Sequence, residues 1–353
     1  MGKMERGREW FNFEHSINSE HTKRQYVYCL KQFLIYYKLK LDKFLKLKMQ
    51  QQEQLIIKYL VQKKGSKAHK NVIFFTIKHA CEVNDVLLNW RKLKKFIKSE
   101  KTGNEIAGKD RGYEHKEIQT IVGYADQRVK TAILILASTG MRVGALPLMK
   151  IGDLERIQDL YKFTVYPGDR EQYTTFCTPE CAKEINAYLE YRIRRGVKMT
   201  DNSFLLIKML SKSEPFKGIS YTSSYSFRAL LQHAFENSGL REIDHKNPYK
   251  HKQVPLLHGF RKFTTKQLVD SNVKAEIREM LLGHKIGLTS VYYKPTEQEM
   301  LNEYLKAVPL LTISNEERLK FKLEQRITIE RTQLEQLRAD FDKFKKDVMK
   351  RRK

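Results

Sequence analysis

Apolar residues recur every three or four positions over most of the chain, which places them on one face of an α-helix. In the first hundred residues this spacing predicts four helices, over residues 22–39, 54–61, 71–83 and 86–97. Further along, it predicts helices over residues 115–124, 128–138, 179–195, 225–238, 257–271, 274–282 and 297–307. Residues 132–137 are apolar at every position, so the helix that contains them is expected to be buried on most sides.

Three short segments are predicted to be extended, over residues 148–154, 161–166 and 173–178. The last two are rich in β-branched and aromatic residues, and the sequence Pro167-Gly168-Asp169 between them favours a tight turn. These two segments therefore predict a β-hairpin. The expected fold class is mainly α with a small antiparallel β-sheet.

The same pattern divides the chain into four regions. Residues 1–98 form a basic helical domain, and residues 99–112 are polar, contain glycine and read as a linker. Residues 113–310 form a second domain, and residues 314–353 an amphipathic basic C-terminal helix. The apolar positions of that helix follow a spacing of three and four, broken by Glu330, and are Leu323, Ile327, Leu334, Leu337, Phe341, Phe344 and Val348. Either its own domain or another chain must cover this seam.

The chain is strongly basic, with 67 Lys and Arg against 41 Asp and Glu and a formal charge of +26. The first 110 residues hold 24 basic and 11 acidic residues. An excess of this size predicts a polyanionic partner and makes residues 1–98 a candidate DNA-binding domain. The alternative is that these lysines only keep a helical bundle in solution.

Two classes of protein are disfavoured by composition. No apolar run approaches the roughly 18 residues of a membrane span, so we expect neither membrane insertion nor secretion. The four cysteines are too few to cross-link a chain of 353 residues, and Cys177 and Cys181 lack a second pair at zinc-site spacing. We therefore interpret them as reduced intracellular thiols.

An arginine follows the most apolar predicted helix. Gly140 can end that helix in a left-handed conformation, and Arg142 then emerges just past its last turn, on a rigid core. The alternative role of Arg142 is to interact favourably with the helix dipole.

Two further segments place basic groups beside structural breaks. His258 and Arg261 lie three residues apart on a predicted helix and so share one face, a pairing that suits a phosphate. Near residue 282 a leucine-rich helix ends at Gly283, His284 follows, and Tyr293 comes nine residues later. Tyr292 and Tyr293 are adjacent, so they cannot both be buried on the same side.

In order and spacing, these segments resemble the catalytic domain of the tyrosine recombinases, the phage-integrase family of mobile-element integrases. The family's first arginine, its H-x-x-R motif, its histidine and its tyrosine match Arg142, His258, Arg261, His284 and Tyr293. The resemblance covers about residues 115–305, and the basic region before it looks like the family's core-binding domain.

The resemblance implies a site-specific recombinase or integrase that cleaves and rejoins duplex DNA by transesterification, through a covalent 3′-phosphotyrosyl intermediate. It implies no metal, ATP or other cofactor, and no membrane or small-molecule partner. Arg142 and Arg261 would stabilise the transition state, and Tyr293 would attack. His258 would accept the Tyr293 proton or hydrogen-bond a non-bridging oxygen, and His284 would contact the phosphate. The partners would be double-stranded DNA and, as a homo-tetramer on two DNA sites, other copies of the chain.

The resemblance also implies a cytoplasmic, nucleoid-associated enzyme. Two alternatives stay open: relaxation of DNA in the manner of a type IB topoisomerase, and a non-catalytic DNA-binding protein on the same fold.

The chain departs from the family at two places. Family members commonly carry a lysine in the hairpin turn, whereas this turn carries Arg170, and Lys162 lies at the start of the preceding strand. Arginine does not readily release a proton, so either Arg170 supplies charge alone, or Lys162 or another lysine acts as the acid. Many relatives have an acid three positions after the first arginine, where this chain has Ala145. Another group must therefore orient Arg142.

Overall fold

The computed structural model describes residues 7–98, 110–207, 224–240, 254–285, 287 and 292–351. This part of the chain is mainly helical with one small antiparallel sheet, which confirms the expected fold class. The chain divides into two compact units, Met1–Glu105 and Ile106–Lys353, each with its own hydrophobic core. Most of the expected linker at 99–112 lies outside the described residues, so the four-region division stays a prediction.

The described part of the first unit contains six helices. They are α1 (Arg8–His15), α2 (Glu20–Tyr36), α3 (Leu41–Leu45), α4 (Met49–Gln62), α5 (Lys67–Glu82) and α6 (Trp90–Lys94). Phe33 lies in its core, with edge-to-face ring contacts to Phe44 and Tyr59 at 5.1 and 5.2 Å.

The helix expected over residues 86–97 is shorter than predicted. The Asn89 side chain accepts a hydrogen bond from the Lys92 amide at 3.0 Å and so caps α6. The Asn89 amide itself donates to Glu53 at 3.2 Å. Residues 86–89 therefore stay outside the helix.

The second unit contains the remaining helices and the sheet. Its helices are α7 (His115–Gly123), α8 (Gln127–Thr139), α9 (Pro179–Arg194), α10 (Ser224–Asn237), α11 (His258–Asp270), α12 (Ala275–Leu281), α13 (Glu297–Leu311) and α14 (Asn315–Arg351). Helix α8 packs against α9 and α11. Its residues 132–137 are at most 3% exposed, as their apolar run predicts.

Three antiparallel strands form the sheet in the order β1 (Leu154–Ile157), β2 (Leu160–Val165) and β3 (Tyr173–Phe176). The expected hairpin is β2 and β3. The extended segment expected over residues 148–154 is wrong for most of its length, because 3₁₀ turns occupy Leu146–Leu148 and Ile151–Asp153. Within it, Lys150 forms an isolated β-bridge to Phe204 and Leu154 begins β1. Pro147 has no N–H for a strand ladder, and the Lys150 amide donates to the Asp153 carboxylate at 2.7 Å, which closes the second turn.

The expected C-terminal helix is present as α14, whose first turn is attached to α9. The Glu180 carboxylate accepts hydrogen bonds from the amides of Ile313 and Ser314 at 2.7 and 2.9 Å, and Lys183 pairs with Glu317 at 2.9 Å. Further along, the described seam side chains are 50–71% exposed, namely Leu323, Ile327, Leu334, Leu337 and Phe341. These five side chains are therefore not covered by the domain to which the helix belongs.

The structure bears on three expectations from composition, namely those about the cysteines, membrane spans and metal sites. All four cysteines are buried free thiols. Among the described helices, none is both long and apolar enough to cross a bilayer. In the same part of the chain, His, Cys, Asp and Glu side chains form no group of three that could hold a metal ion.

Candidate active site

The end of α8 positions Arg142. Gly140 follows the helix with a left-handed φ of +63°, and its amide donates to the Leu136 carbonyl at 3.0 Å. A Cβ at this position would lie 2.8 Å from Leu282 and 3.0 Å from Thr264, so close packing as well as conformation requires glycine. The path of the backbone after α8 is therefore fixed at Gly140, and Arg142 follows two residues later.

Arg261 on α11 joins two helix ends. Its side chain is almost fully buried, and its Nη1 donates to the Gly140 carbonyl at 2.8 Å. Its Nη2 donates to the Leu282 carbonyl at 2.6 Å. Burial, and to a smaller extent the charge of Arg142, lower the pKa of Arg261 from its ordinary value. The guanidinium lies against the C-terminal ends of α8 and α12, where helix dipoles favour positive charge.

The end of α12 positions His284. Gly283 has a left-handed φ of +68°, its amide donates to the Met280 carbonyl, and the His284 amide donates to the Glu279 carbonyl, each at 2.9 Å. This is a Schellman-type helix end. It brings the His284 Nε2 to 2.6 Å from Arg261 Nη2 and the His284 Nδ1 to 2.5 Å from the Glu279 carboxylate.

Arg142 lies on the other side of the same helix end. Its Nη1 donates to the Gly283 carbonyl at 3.4 Å and lies 3.9 Å from the Glu171 carboxylate. Its side chain is 44% exposed. Ala145 is buried, and among the described residues the carboxylate that approaches Arg142 is Glu171 of the hairpin turn rather than an acid of its own segment.

These groups border an open cleft with a volume of about 970 Å³. Its charged lining side chains are Arg142, Arg170, Glu171, Glu279 and Lys285, and His284 lines it as well. Gly287 and Met300 also line it. An open cleft with two guanidinium groups and an imidazole can take a phosphate diester.

Two tyrosines lie close to the arginines. The Tyr173 hydroxyl is buried beside the Arg261 guanidinium. Burial raises its pKa to about 12, although the nearby charge of Arg261 opposes the rise. Burial likewise raises the pKa of Tyr166, against the charge of Arg142. Both phenols therefore stay neutral and leave the guanidinium charges uncompensated.

His258 and Tyr293 do not line the cleft. His258 is exposed at the first residue of α11, and burial, Lys262 and Arg261 lower its pKa. It is therefore neutral near pH 7 and able to accept a proton. Tyr293 is half-buried against the core of the second unit, whereas Tyr292 is 87% exposed.

The two hairpin candidates for the general acid are separated. Arg170 lines the cleft. Lys162 does not line it, because its ammonium lies between Glu155 and Glu297, 3.0 Å from the latter. The hydrogen bond to Glu155 is the main cause that raises the pKa of Lys162, which holds its proton more firmly.

The comparisons with known proteins bear on this arrangement. No protein-family model matches the chain. A curated tyrosine recombinase, XerC of Caldanaerobacter subterraneus subsp. tengcongensis, is 27% identical over 196 residues, which are 55% of this chain and 49% of that protein. The match therefore spans about half the length of this relative.

Solved structures match over more of the chain. The lambda integrase tetramer bound to a Holliday junction has a TM-score of 0.53 and 16% identity, over 81% of this chain and 76% of the other. The Tn1549 transposon integrase in complex with circular intermediate DNA has a TM-score of 0.52 and 15% identity, over 84% and 97%. The chain has the tyrosine-recombinase fold. The resemblance expected from its motifs is thereby confirmed.

Among the residues that line the cleft, several were not singled out from the sequence. Those with an ionisable side chain are Glu171, Tyr173, Glu279 and Lys285. Glu279 and His284 lie five residues apart and meet only because the helix between them ends in a tight turn. No periodic pattern marks such a pair.

Proposed function

We propose that the protein is a site-specific tyrosine recombinase, which cleaves and rejoins duplex DNA through a covalent 3′-phosphotyrosyl intermediate. The observation that carries the proposal is that Arg142 and His284 line one open cleft and that Arg261 contacts His284 beside it. The fold supports it, and so does the partial match to a curated tyrosine recombinase. The net charge of +26 supports duplex DNA as the substrate.

The arginines act on charge that develops at the phosphate. Attack on a phosphodiester places negative charge on its non-bridging oxygens, and guanidinium groups already held in place stabilise it without reorganisation. Arg261 is fixed by the carbonyls of Gly140 and Leu282. Arg142 is held more loosely and is open to the cleft.

Tyr293 acts as the nucleophile. Its Oη forms a bond to phosphorus while the bond from phosphorus to the 5′ oxygen breaks, and His258 accepts the phenolic proton. The 5′ oxygen leaves with a proton from a basic side chain, for which Arg170 and Lys162 are the hairpin candidates. Gly287 and Met300, on either side of Tyr293 along the chain, both line the cleft. Attack by another 5′ hydroxyl reverses the step, so the ester conserves the energy of the broken bond.

The assembly follows from the chemistry of strand exchange. Exchange joins four DNA ends, which requires four active sites, so the assembly is a homo-tetramer on two duplex sites. Residues 1–98 grip the DNA backbone, and the exposed seam of α14 is available to a neighbouring copy. The enzyme acts in the cytoplasm, associated with the nucleoid.

Covalent capture tests the proposal. A library of nicked duplexes with randomised sequence is incubated with the wild type, Tyr293→Phe or Tyr292→Phe, and protein-linked DNA is isolated under denaturing conditions and sequenced. We expect the wild type and Tyr292→Phe to become linked to the 3′ end of one sequence class, and Tyr293→Phe to form no link. The exposed Tyr292 is the matched control for loss of a phenol.

Three outcomes would contradict the proposal. If the wild type forms no protein-linked DNA, the chain is a non-catalytic DNA-binding protein with this fold. Linkage by Tyr293→Phe but not by Tyr292→Phe would assign the nucleophile to the other tyrosine. Relaxation of supercoiled DNA that carries two copies of the captured site, without exchange between them, would indicate a topoisomerase.

A further inference from the structure

A chain of two short contacts links Glu279, His284 and Arg261. Arg261 Nη2 lies 2.6 Å from His284 Nε2, and His284 Nδ1 lies 2.5 Å from Glu279 Oε2. Both nitrogens of the imidazole are therefore engaged within the protein. Its own helix end fixes the ring, because the backbone turns at Gly283.

The position of the ring proton follows from the donors. A guanidinium nitrogen can only donate, so Nε2 must accept from Arg261 and cannot itself carry a hydrogen. The ring proton then sits on Nδ1 and is donated to the Glu279 carboxylate. The contacts thus assign His284 to the neutral tautomer with the proton on Nδ1.

Loss of the carboxylate would remove the acceptor of the Nδ1 proton, so that the donation from Arg261 alone would have to hold this tautomer. A proton on Nε2 would point at the guanidinium of Arg261, and the third acceptor of that side chain would be lost. The other two acceptors, the carbonyls of Gly140 and Leu282, would remain. Arg261 would then lose the acceptor, His284 Nε2, that holds its guanidinium on this side.

We propose that Glu279 is a positioning residue that fixes the tautomer of His284, so that His284 accepts from Arg261 and holds its guanidinium beside the cleft. The proposal rests on the function proposed above, since Arg261 matters there through its contact with the phosphate. Arg278 steadies Glu279 from the same helix, with Nε 3.3 Å from the carboxylate. Burial opposes ionisation of Glu279, but the hydrogen bonds from His284 and Arg278 leave its pKa below the ordinary value.

Two variants of equal length isolate the acceptor. Glu279→Gln and Glu279→Met both remove the charge, but only glutamine keeps an oxygen that can accept from Nδ1. Nitrogen-15 NMR of the free protein separates the two imidazole tautomers, with the His284 signals assigned from a His284→Gln variant. We expect the wild type and Glu279→Gln to carry the proton on Nδ1, and Glu279→Met to carry it on Nε2.

The rate of covalent adduct formation gives the second measurement. We expect Glu279→Met to lose about 10- to 100-fold, the range found when an imidazole loses the partner that orients it. Glu279→Gln should stay within a few-fold of the wild type. Equal rates for the two variants, or a proton on Nδ1 in Glu279→Met, would overturn the proposal.

The two measurements separate this proposal from the function on which it rests. If the wild type forms no adduct, the proposed function fails, and the NMR comparison still decides whether Glu279 fixes His284. If the wild type forms adducts and both variants match it, only the positioning role fails. Circular dichroism of the three proteins excludes an unfolded variant as the cause of a lost rate.

Discussion

The helix end at Gly283 gives a prediction with an internal control. An added Cβ would lie 2.5, 2.6 and 2.8 Å from three ring atoms of Tyr173, closer than packed carbon atoms approach. The left-handed φ of +68° adds a backbone cost of about 1–2 kcal/mol for any residue with a Cβ. Overpacking adds about 1–3 kcal/mol. We therefore expect Gly283→Ala to lower the free energy of unfolding by about 2–5 kcal/mol.

Gly196 provides the matched control. It follows α9 with φ of +79°, its amide and that of Val197 make the same pair of helix-end hydrogen bonds, and its Cβ would meet no atom within 4 Å. Gly196→Ala should therefore lose only the backbone cost of about 1–2 kcal/mol. The difference between the two variants measures the clash with Tyr173.

Urea unfolding gives the free energies. Both glycines lie in the second unit, and circular dichroism follows its many helices. Trp10 and Trp90 both lie in the first unit, so tryptophan fluorescence should report an unchanged transition. Equal losses for Gly283→Ala and Gly196→Ala would refute the reasoning. So would an undiminished loss for Gly283→Ala in a Tyr173→Leu background, where the ring is gone.

Three further predictions concern single side chains. Arg261→Lys keeps the charge but cannot reach two carbonyls and His284 together, so adduct formation should fall by about 10² or more in single-turnover assays, as when a fixed transition-state donor is lost. Lys162→Ala should cleave substrates with a bridging 5′ oxygen and 5′ sulfur in the wild-type ratio, because Lys162 lies outside the cleft; rescue by sulfur would assign the acid to it. The hydrogen bond from Lys92 holds the pKa of Glu53 below its ordinary 4.5, so its stabilisation is present above that value and is lost as the pH falls through the lowered pKa. Urea midpoints from pH 7 to 3 should therefore fall less steeply for Glu53→Gln than for the wild type.

Local signals were enough to predict the positions of the site's helix ends. Gly140 and Gly283 each follow an apolar helical run, and each adopts the left-handed conformation that such a glycine suggests. The placement of Arg142 and His284 just beyond them follows from the sequence for the same reason. The pairing of β2 with β3 likewise follows from the turn that Pro167-Gly168-Asp169 predicts between them.

Contacts between distant segments left no such signal. The carbonyls that hold Arg261 belong to Gly140 and Leu282, which lie 121 and 21 positions away along the chain. Because every residue has a backbone carbonyl, nothing in the sequence distinguishes these two. Helices α1 and α3 have eight and five residues, too few for a period to stand out. The exposure of the α14 seam also could not be foreseen, because an apolar stripe has the same spacing whether its own domain or another chain covers it.

The partners of the two arginines explain how the cleft keeps its charge. A carboxylate orients a guanidinium but cancels its charge, whereas a peptide carbonyl orients it by a partial charge only. Arg261 is held by two carbonyls and a neutral imidazole, and Arg142 by the carbonyl of Gly283. Among the described residues, the carboxylate that approaches Arg142 is that of Glu171, which is 3.9 Å away and 60% exposed, so solvent screens it. Because backbone carbonyls orient the two arginines, Ala145 can stand where many relatives place an acid. Both positive charges then remain available to a phosphate.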